Sequence, residues 1–409
     1  DYPGAEKAYQ AVVTNGDGSP FYRQSLYKIG WCFFKQDMFN AALDAFIALL
    51  DLELQGIENQ KTVSGEVSPV RLTPADQELI NDTLRAVSLS FYHETGASSV
   101  AEYFSRQGPR NYEEIIYNRL GSLYLKKERF NDAAQTFQMF ADNNPFHQQA
   151  PSYHMRVIEA YQEADFPTLA LDAKKSFVEH YQLQGEYWNH HSPGENKRTL
   201  DFLKLTITDL SRHYHALAQK STKPEDYQQA IHWYRTYLAS FANDKDAPSM
   251  NFLLAELLDE SGDYQQAIRE FSTIAYRYSG HDQAGEAGYA AVLAYSKHEQ
   301  TLDGADKQAW QQQAIENALK FAETFPGHPE ALAVLTRTSE DLLAAGENER
   351  AASVAQLVID NARATQSQQR IAWTVLAHVR FDLGDFPQAE AAYQEARRRL
   401  PSEGKDNDA

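Results

Sequence analysis

The chain has 409 residues, 43 % of them apolar and 23 % charged, with 57 acidic against 38 basic side chains for a net charge of −19. This is the composition of a folded chain rather than a disordered one. Its length exceeds what one small core organises, so several domains or a repeat array are expected. The acidic balance speaks against nucleic acid as the main partner, because a polyanion needs a net basic face. No apolar run reaches the roughly 20 residues of a membrane helix; the longest, 41–54, is broken by Asp44 and Asp51. A single cysteine, Cys32, excludes an intramolecular disulfide framework and a multi-cysteine zinc site. The chain opens at Asp1 with neither methionine nor an apolar leader, so a removed signal peptide or an excised fragment is expected.

In chain order, Tyr2, Ala5 and Tyr9 have the spacing of the second helix of a pair whose first helix is missing. Leu26, Ile29, Gly30 and Phe33, then Phe39, Ala42 and Phe46, form the first complete two-helix block. The stretch 52–78 contains Ser64-Gly65-Glu66-Val67-Ser68-Pro69 and Leu72-Thr73-Pro74, and is predicted as a long surface loop after an extended helix. Ser88, Phe91, Val100 and Phe104 fit a degenerate block.

The clearest block lies between Glu114 and Pro145: Tyr117, Leu120, Gly121 and Tyr124, then Phe130, Ala133, Phe137, Phe140 and Pro145. Its order and spacing resemble the tetratricopeptide repeat (TPR), in which W-x2-L-G-x2-Y is followed by A-x3-F and a terminal Pro over about 34 residues. The small residues let two helices approach, the aromatic fills the gap beyond them, and the proline ends the second helix. Val157, Tyr161, Phe166, Leu169 and Ala173 form a weaker copy. The stretch 185–196, with His190-His191-Ser192-Pro193-Gly194, then interrupts the array, and two superhelical halves are expected, 1–190 and 195–401. Beyond it come Tyr227, Ala230, Tyr234 and Tyr237 behind a first helix in 199–220. Leu254, Ala255, Leu258, Gly262-Asp263-Tyr264, Ala267 and Phe271 follow. Ala314, Ala318 and Phe321 then stand behind 284–297, across a loop at 299–306, and Gly346, Ala351 and Ala355 mark a further pair. Trp373, Leu376, Ala377, Gly384-Asp385-Phe386, Ala389, Tyr393, Ala396 and Pro401 complete the array before a polar, disordered tail at 402–409. The step from the small residue to the conserved alanine (Gly30 to Ala42, Gly121 to Ala133, Ala255 to Ala267, Ala377 to Ala389) is constant. The predicted fold is all-α: about eight helix pairs in a TPR-like, right-handed solenoid.

Catalytic and metal-binding patterns are not recognisable. His190-His191 are adjacent in a Pro/Gly turn and lack a third ligand at recognisable spacing. His213 and His215 are two apart on a helix, whereas ligands on one face need a spacing of three or four. Cys32 has no histidine base nearby in sequence. The chain is expected to be non-catalytic, with no cofactor and no metal.

Function is therefore expected on the concave face lined by the first helices. Tyr27, Trp31, Phe34 and Lys35 point inward in the first block, and Asn118, Ser122, Leu125 and Lys126 in the clearest one. Phe252, Glu256 and Asp259 follow, and then Thr374, His378 and Phe381. Tyr27, Trp31 and Phe34 are candidate anchors for a protein or peptide partner; the competing reading has a preceding repeat covering them. Lys35, Asn118 and Lys126 do not form a carboxylate clamp, because a degenerate repeat separates them.

The stretch 27–36 with Ala41-Ala42-Leu43, the stretches 103–110 and 117–124, and Phe177-Val178-Glu179 with Tyr181 and Tyr187-Trp188 resemble proteobacterial cell-envelope TPR proteins. These are similar to proteins encoded beside gliding-motility or TonB/ExbB-type systems. The resemblance implies a periplasmic scaffold without catalytic residues. A cytoplasmic chaperone-adaptor or regulatory protein, and the TPR part of a larger polysaccharide-handling enzyme, are the alternatives.

Overall fold

The computed structural model describes residues 1–54, 73–278 and 280–400. The described residues form 20 α-helices and one short 3₁₀ turn, Pro193–Glu195. Helix α1 spans Tyr2–Thr14. Four pairs follow: α2 (Tyr22–Phe34) with α3 (Phe39–Leu54), α4 (Pro74–His93) with α5 (Ala97–Gln107), α6 (Glu113–Lys126) with α7 (Phe130–Asn143), and α8 (Ala150–Glu163) with α9 (Pro167–Tyr181). The short α10 (Tyr187–His190) precedes five more pairs. These are α11 (Lys197–Ser221) with α12 (Pro224–Ser240), α13 (Ala247–Glu260) with α14 (Tyr264–Arg277), and α15 (Ala284–Glu299) with α16 (Gly304–Thr324). The last two are α17 (Ala331–Ala344) with α18 (Asn348–Ile359) and α19 (Gln366–Asp382) with α20 (Phe386–Arg398). The fold is thus the all-helical, TPR-like array of pairs that the periodicity predicts.

The chain divides into two compact units, Asp1–Thr206 and Ile207 onward, so the division falls within α11. In each unit, neighbouring helices in sequence pack against one another, and each pair leans on the next. The predicted loop at 52–78 is shorter at both edges: residues 52–54 continue α3, and α4 begins at Pro74. Proline suits the first turn of a helix, and the Thr73 hydroxyl and the Asp76 carboxylate cap it reciprocally. The rest of that predicted loop, Pro401 and the predicted tail 402–409 lie outside the described residues.

The small-residue register sets the helix spacing, with one correction. Gly121 and Ala133 are both buried, as their spacing suggests, but what faces Gly121 is the Phe137 ring. A Cβ at Gly121 would lie 2.1 Å from that ring, and one at Gly30 would lie 2.5 Å from the Phe46 ring. The second helix places its aromatic one turn beyond the alanine, so the ring closes over the bare backbone and the alanine seals the flank. Polar links brace the outer helices of the first unit. The Asp51 carboxylate receives the Arg110 guanidinium at 2.9 Å and the Tyr112 hydroxyl at 2.5 Å, and Asp44 receives the Tyr103 hydroxyl at 3.0 Å.

Candidate functional site

The strongest candidate surface begins on α2. Tyr27, Trp31 and Phe34 recur at intervals of three and four, so they share one helix face, and all three are half-buried. They are not bare. The Trp31 ring meets Phe46 edge-on at 5.8 Å, so it flanks the Gly30 contact instead of standing clear of it. Tyr27 donates its hydroxyl to Asp82 on α4 at 2.9 Å, and burial raises its pKa. Phe34 sits edge-on to Phe39 at 5.4 Å and to His93 at 5.6 Å. What covers one side of these anchors is α3 and α4, both within the chain.

Sequence reading missed the continuation of this surface. His93 stacks on Phe39 at 5.0 Å with the rings 8° from parallel, Tyr92 meets His93 edge-on, and Tyr92 lies 5.3 Å from Tyr124 on α6. The Arg129 guanidinium covers both tyrosines, 5.2 Å from the Tyr92 ring and 4.8 Å from the Tyr124 ring. A continuous strip of rings thus runs from Tyr27 on α2 across α4 to α6. The available signal was register: Tyr92 follows Ser88 by the same step that separates Phe34 from Gly30.

Polar residues extend the same helices. Lys35 and Lys126 are exposed. Asn118 and Ser122 are joined to the next first helix by Arg156, which donates to the Asn118 side-chain oxygen at 2.7 Å and to the Ser122 hydroxyl at 2.9 Å. Arg156 also lies 3.9 Å over the Phe137 ring, and burial lowers its pKa. Asn118 is therefore held by the chain itself, and the pair α4–α5 lies in sequence between Lys35 and the α6 residues Asn118 and Lys126.

In the second unit, Phe252 packs edge-on against Phe271 at 5.7 Å. Burial, and then the neighbouring Glu260, push the Glu256 carboxyl up. Asp259 is paired with Lys297 from α15, which removes it as a free acidic contact. His378 is exposed and its Nδ1 lies 3.2 Å from the Tyr393 hydroxyl. Tyr393 in turn borders an open depression lined by Phe381, Phe386, Glu390 and Arg397.

The histidines that the sequence offers as possible ligands each contact an aromatic ring or a hydrogen-bond partner. His191 bonds the Phe146 carbonyl at 2.8 Å and stacks on Tyr187, His190 lies 4.3 Å from the Phe146 ring, and His215 bonds the Tyr234 hydroxyl at 2.8 Å. His213 meets the Tyr214 ring edge-on at 5.1 Å. Cys32 is buried, and burial pushes its thiol up, away from the thiolate a nucleophile needs. Among the described residues no helix is long and apolar enough to cross a membrane.

Residues 24–52 and 224–282 match tetratricopeptide repeat families. No curated protein matches the chain. Similar solved structures include a putative kinesin light chain of Podosopora anserina with nearly identical TPR-like repeats, at 17 % identity and a TM-score of 0.29, covering 46 % of this chain and 93 % of that one. Human IFIT1, solved as a dimer with m7Gppp-AAAA, is similar at 13 % identity and a TM-score of 0.27, covering 97 % of this chain and 81 % of that one. The two matched segments fall one in each unit, on helix pairs of the all-helical, TPR-like array.

Proposed function

We propose that the chain is a non-catalytic scaffold that holds a protein or peptide segment along its first helices. The segment is anchored at Tyr27, Trp31 and Phe34 and continues over Tyr92 and His93 toward Lys126. The observation that carries this reading is the start of the strip of rings: Tyr27, Trp31 and Phe34 are held on one side by α3 or α4 and are only half-buried. Rings already fixed lose little side-chain freedom on binding, and an anchor of this kind can contribute about 2 kcal/mol or more. Lys35 and Lys126 favour a segment with acidic groups beside its apolar anchors, acting on encounter rate and specificity. Phe252 and His378 offer contacts of the same kind in the second unit.

We place the protein in a bacterial cell envelope, on the periplasmic side, on the likeness of 27–36, 103–110 and 117–124 to envelope TPR proteins. Fractionation of cells expressing the whole gene tests the compartment: product in the periplasmic or membrane fraction supports it, and cytoplasmic product supports the adaptor reading. Capture from envelope extract with wild-type protein and a Trp31→Ala/Phe34→Ala variant tests the surface, with circular dichroism confirming that the variant is folded. The expected result is loss of partners from the variant. Identical partners at identical salt overturn the anchor assignment.

A further inference from the structure

Three side chains that the scaffold reading leaves unused meet where α7, α8 and α9 come together. Asp142 lies in the last turn of α7, His154 in the first turns of α8, and His180 in the last turn of α9. One ligand atom from each lies within 4.8 Å of the others. His154 is only 6 % exposed, while Asp142 and His180 face solvent. His154 Nε2 is 3.2 Å from Asp142 Oδ1, and the two imidazole rings are 4.9 Å apart.

The surroundings fix how both imidazoles are presented. His180 Nδ1 lies 2.7 Å from the Ser176 carbonyl, a contact that requires a proton on Nδ1 and leaves Nε2 with the lone pair. His154 Nδ1 lies 2.7 Å from the Tyr181 hydroxyl, so Nδ1–H can donate there and leave Nε2 as a ligand beside the carboxylate. A metal-ligating histidine commonly binds through one nitrogen while the other is held in this way.

We propose that Asp142, His154 and His180 form a binding site for a divalent transition-metal ion of the zinc class. Two imidazoles and one carboxylate are a donor set suited to zinc. Metal–ligand bonds of about 2.0–2.2 Å bring tetrahedral ligand atoms to about 3.3 Å from one another. The exposed His180 and Asp142 side chains supply that closure by turning, while buried His154 stays in place. The fourth position faces solvent and takes water. The ion would join three successive helices, adding a clip between one repeat and the next to the ring contacts and side-chain hydrogen bonds already there.

The test is titration of untagged full chain with Zn2+ by calorimetry, and with Co2+ by visible absorption. Wild type is expected to bind one equivalent, with an intense d–d band for tetrahedral Co2+ and a melting temperature raised by saturating Zn2+. His180→Ala alters an exposed residue and is expected to keep the fold while losing the tight equivalent, the Co2+ band and the Zn2+-dependent melting shift. Asp142→Asn is a second, nearly isosteric variant expected to do the same. Tyr181→Phe removes only the group that orients His154 and is expected to weaken binding by about 10- to 100-fold. Absence of a tight equivalent in wild type overturns the proposal, as does equal Zn2+ affinity in wild type, His180→Ala and Asp142→Asn. In either case the Tyr181–His154–Asp142 contacts are a hydrogen-bond chain alone.

Discussion

The two units build the same turn inside their helix pairs with different residues. In the first unit, the residue two positions before the second helix is Asp37, Glu128 or Asp165, with φ of 57°, 57° and 54°. In the second unit, Gly262, Gly346 and Gly384 hold that position before α14, α18 and α20, with φ of 84°, 77° and 78°, and Thr222 holds it before α12 with φ of 55°. A left-handed conformation costs an L-residue about 1–2 kcal/mol and glycine almost nothing. In the second unit the residue after the glycine also works: Asp263 and Asp385 accept from the backbone N–H three residues on and cap the second helix. The corresponding positions of the first unit, Arg129 and Phe166, make no side-chain cap. The first unit thus holds L-residues in the left-handed conformation at three of these turns, whereas in the second unit glycine takes three of them and Thr222 one.

Packing at one motif position changes with its place in the array. Phe137, the second-helix aromatic of α7, has no exposed surface: Gly121 lies beneath it, Tyr153 meets its ring at 5.9 Å, and Arg156 covers its face. Its counterpart on α20, Tyr393, is 38 % exposed and has His378 for a neighbour. The same motif position is sealed when a further pair leans on it and remains open when no described helix does.

Four predictions sharpen or break this comparison. The largest contrast is between Phe137→Ala, expected to cost about 3–5 kcal/mol in urea unfolding, and Tyr393→Ala, expected to cost about 0.5 kcal/mol. Equal losses would contradict the sealed-versus-open description. Next, Gly121→Leu forces a side chain into the Phe137 ring and should cost about 1–3 kcal/mol, whereas unchanged melting would refute the register.

Third, burial, aided by Glu113, pushes the Tyr117 phenol up to about 12. The folded state therefore holds the phenolic proton above the ordinary pKa, where the unfolded chain has lost it. Its contribution is complete below pH about 10 and falls by about 1.4 kcal/mol per pH unit from there to pH about 12. Tyr187, Tyr234 and Tyr276 are raised likewise, so Tyr117→Phe should lessen the alkaline loss by its own share, and an unchanged slope would show that Tyr117 contributes none of it.

The smallest effects test the turns directly. Gly346→Ala meets no atom within 4 Å of the new Cβ, so only conformational strain acts, about 1 kcal/mol. Glu128→Gly should go the other way, raising stability by about 0.5 kcal/mol as relief of strain outweighs the added freedom of the unfolded chain. Opposite signs in calorimetric melting are the expected outcome; two losses would mean that Glu128 is not strained.

Regular pairs were readable from sequence because helix approach constrains residue size at fixed spacing: Gly30, Gly121, Ala255 and Ala377 mark first helices wherever they occur. The contact they make was less readable. Spacing places Ala133 near Gly121, but side-chain direction decides that Phe137 covers it. The turns of the first unit carried no signal either, since Asp37 and Glu128 look like ordinary surface acids. The aromatic strip was half legible: Tyr27, Trp31 and Phe34 share a face on one helix, while Tyr92 and His93 lie in a degenerate block where only the step from Ser88 marks the register. Asp142, His154 and His180 lay beyond sequence reading altogether, because three helices with unrelated spacings bring them together.

Binding along the first helices is the central claim, and site-specific photo-crosslinking tests it most directly. A photoreactive side chain is placed at Lys35, at Lys126 and at Gln135, all exposed, the first two at the ends of first helices and the third on the second helix α7. The account predicts crosslinks to the same partner from Lys35 and Lys126 and none from Gln135. Crosslinks from Gln135 alone would put the binding surface on the second helices and contradict it.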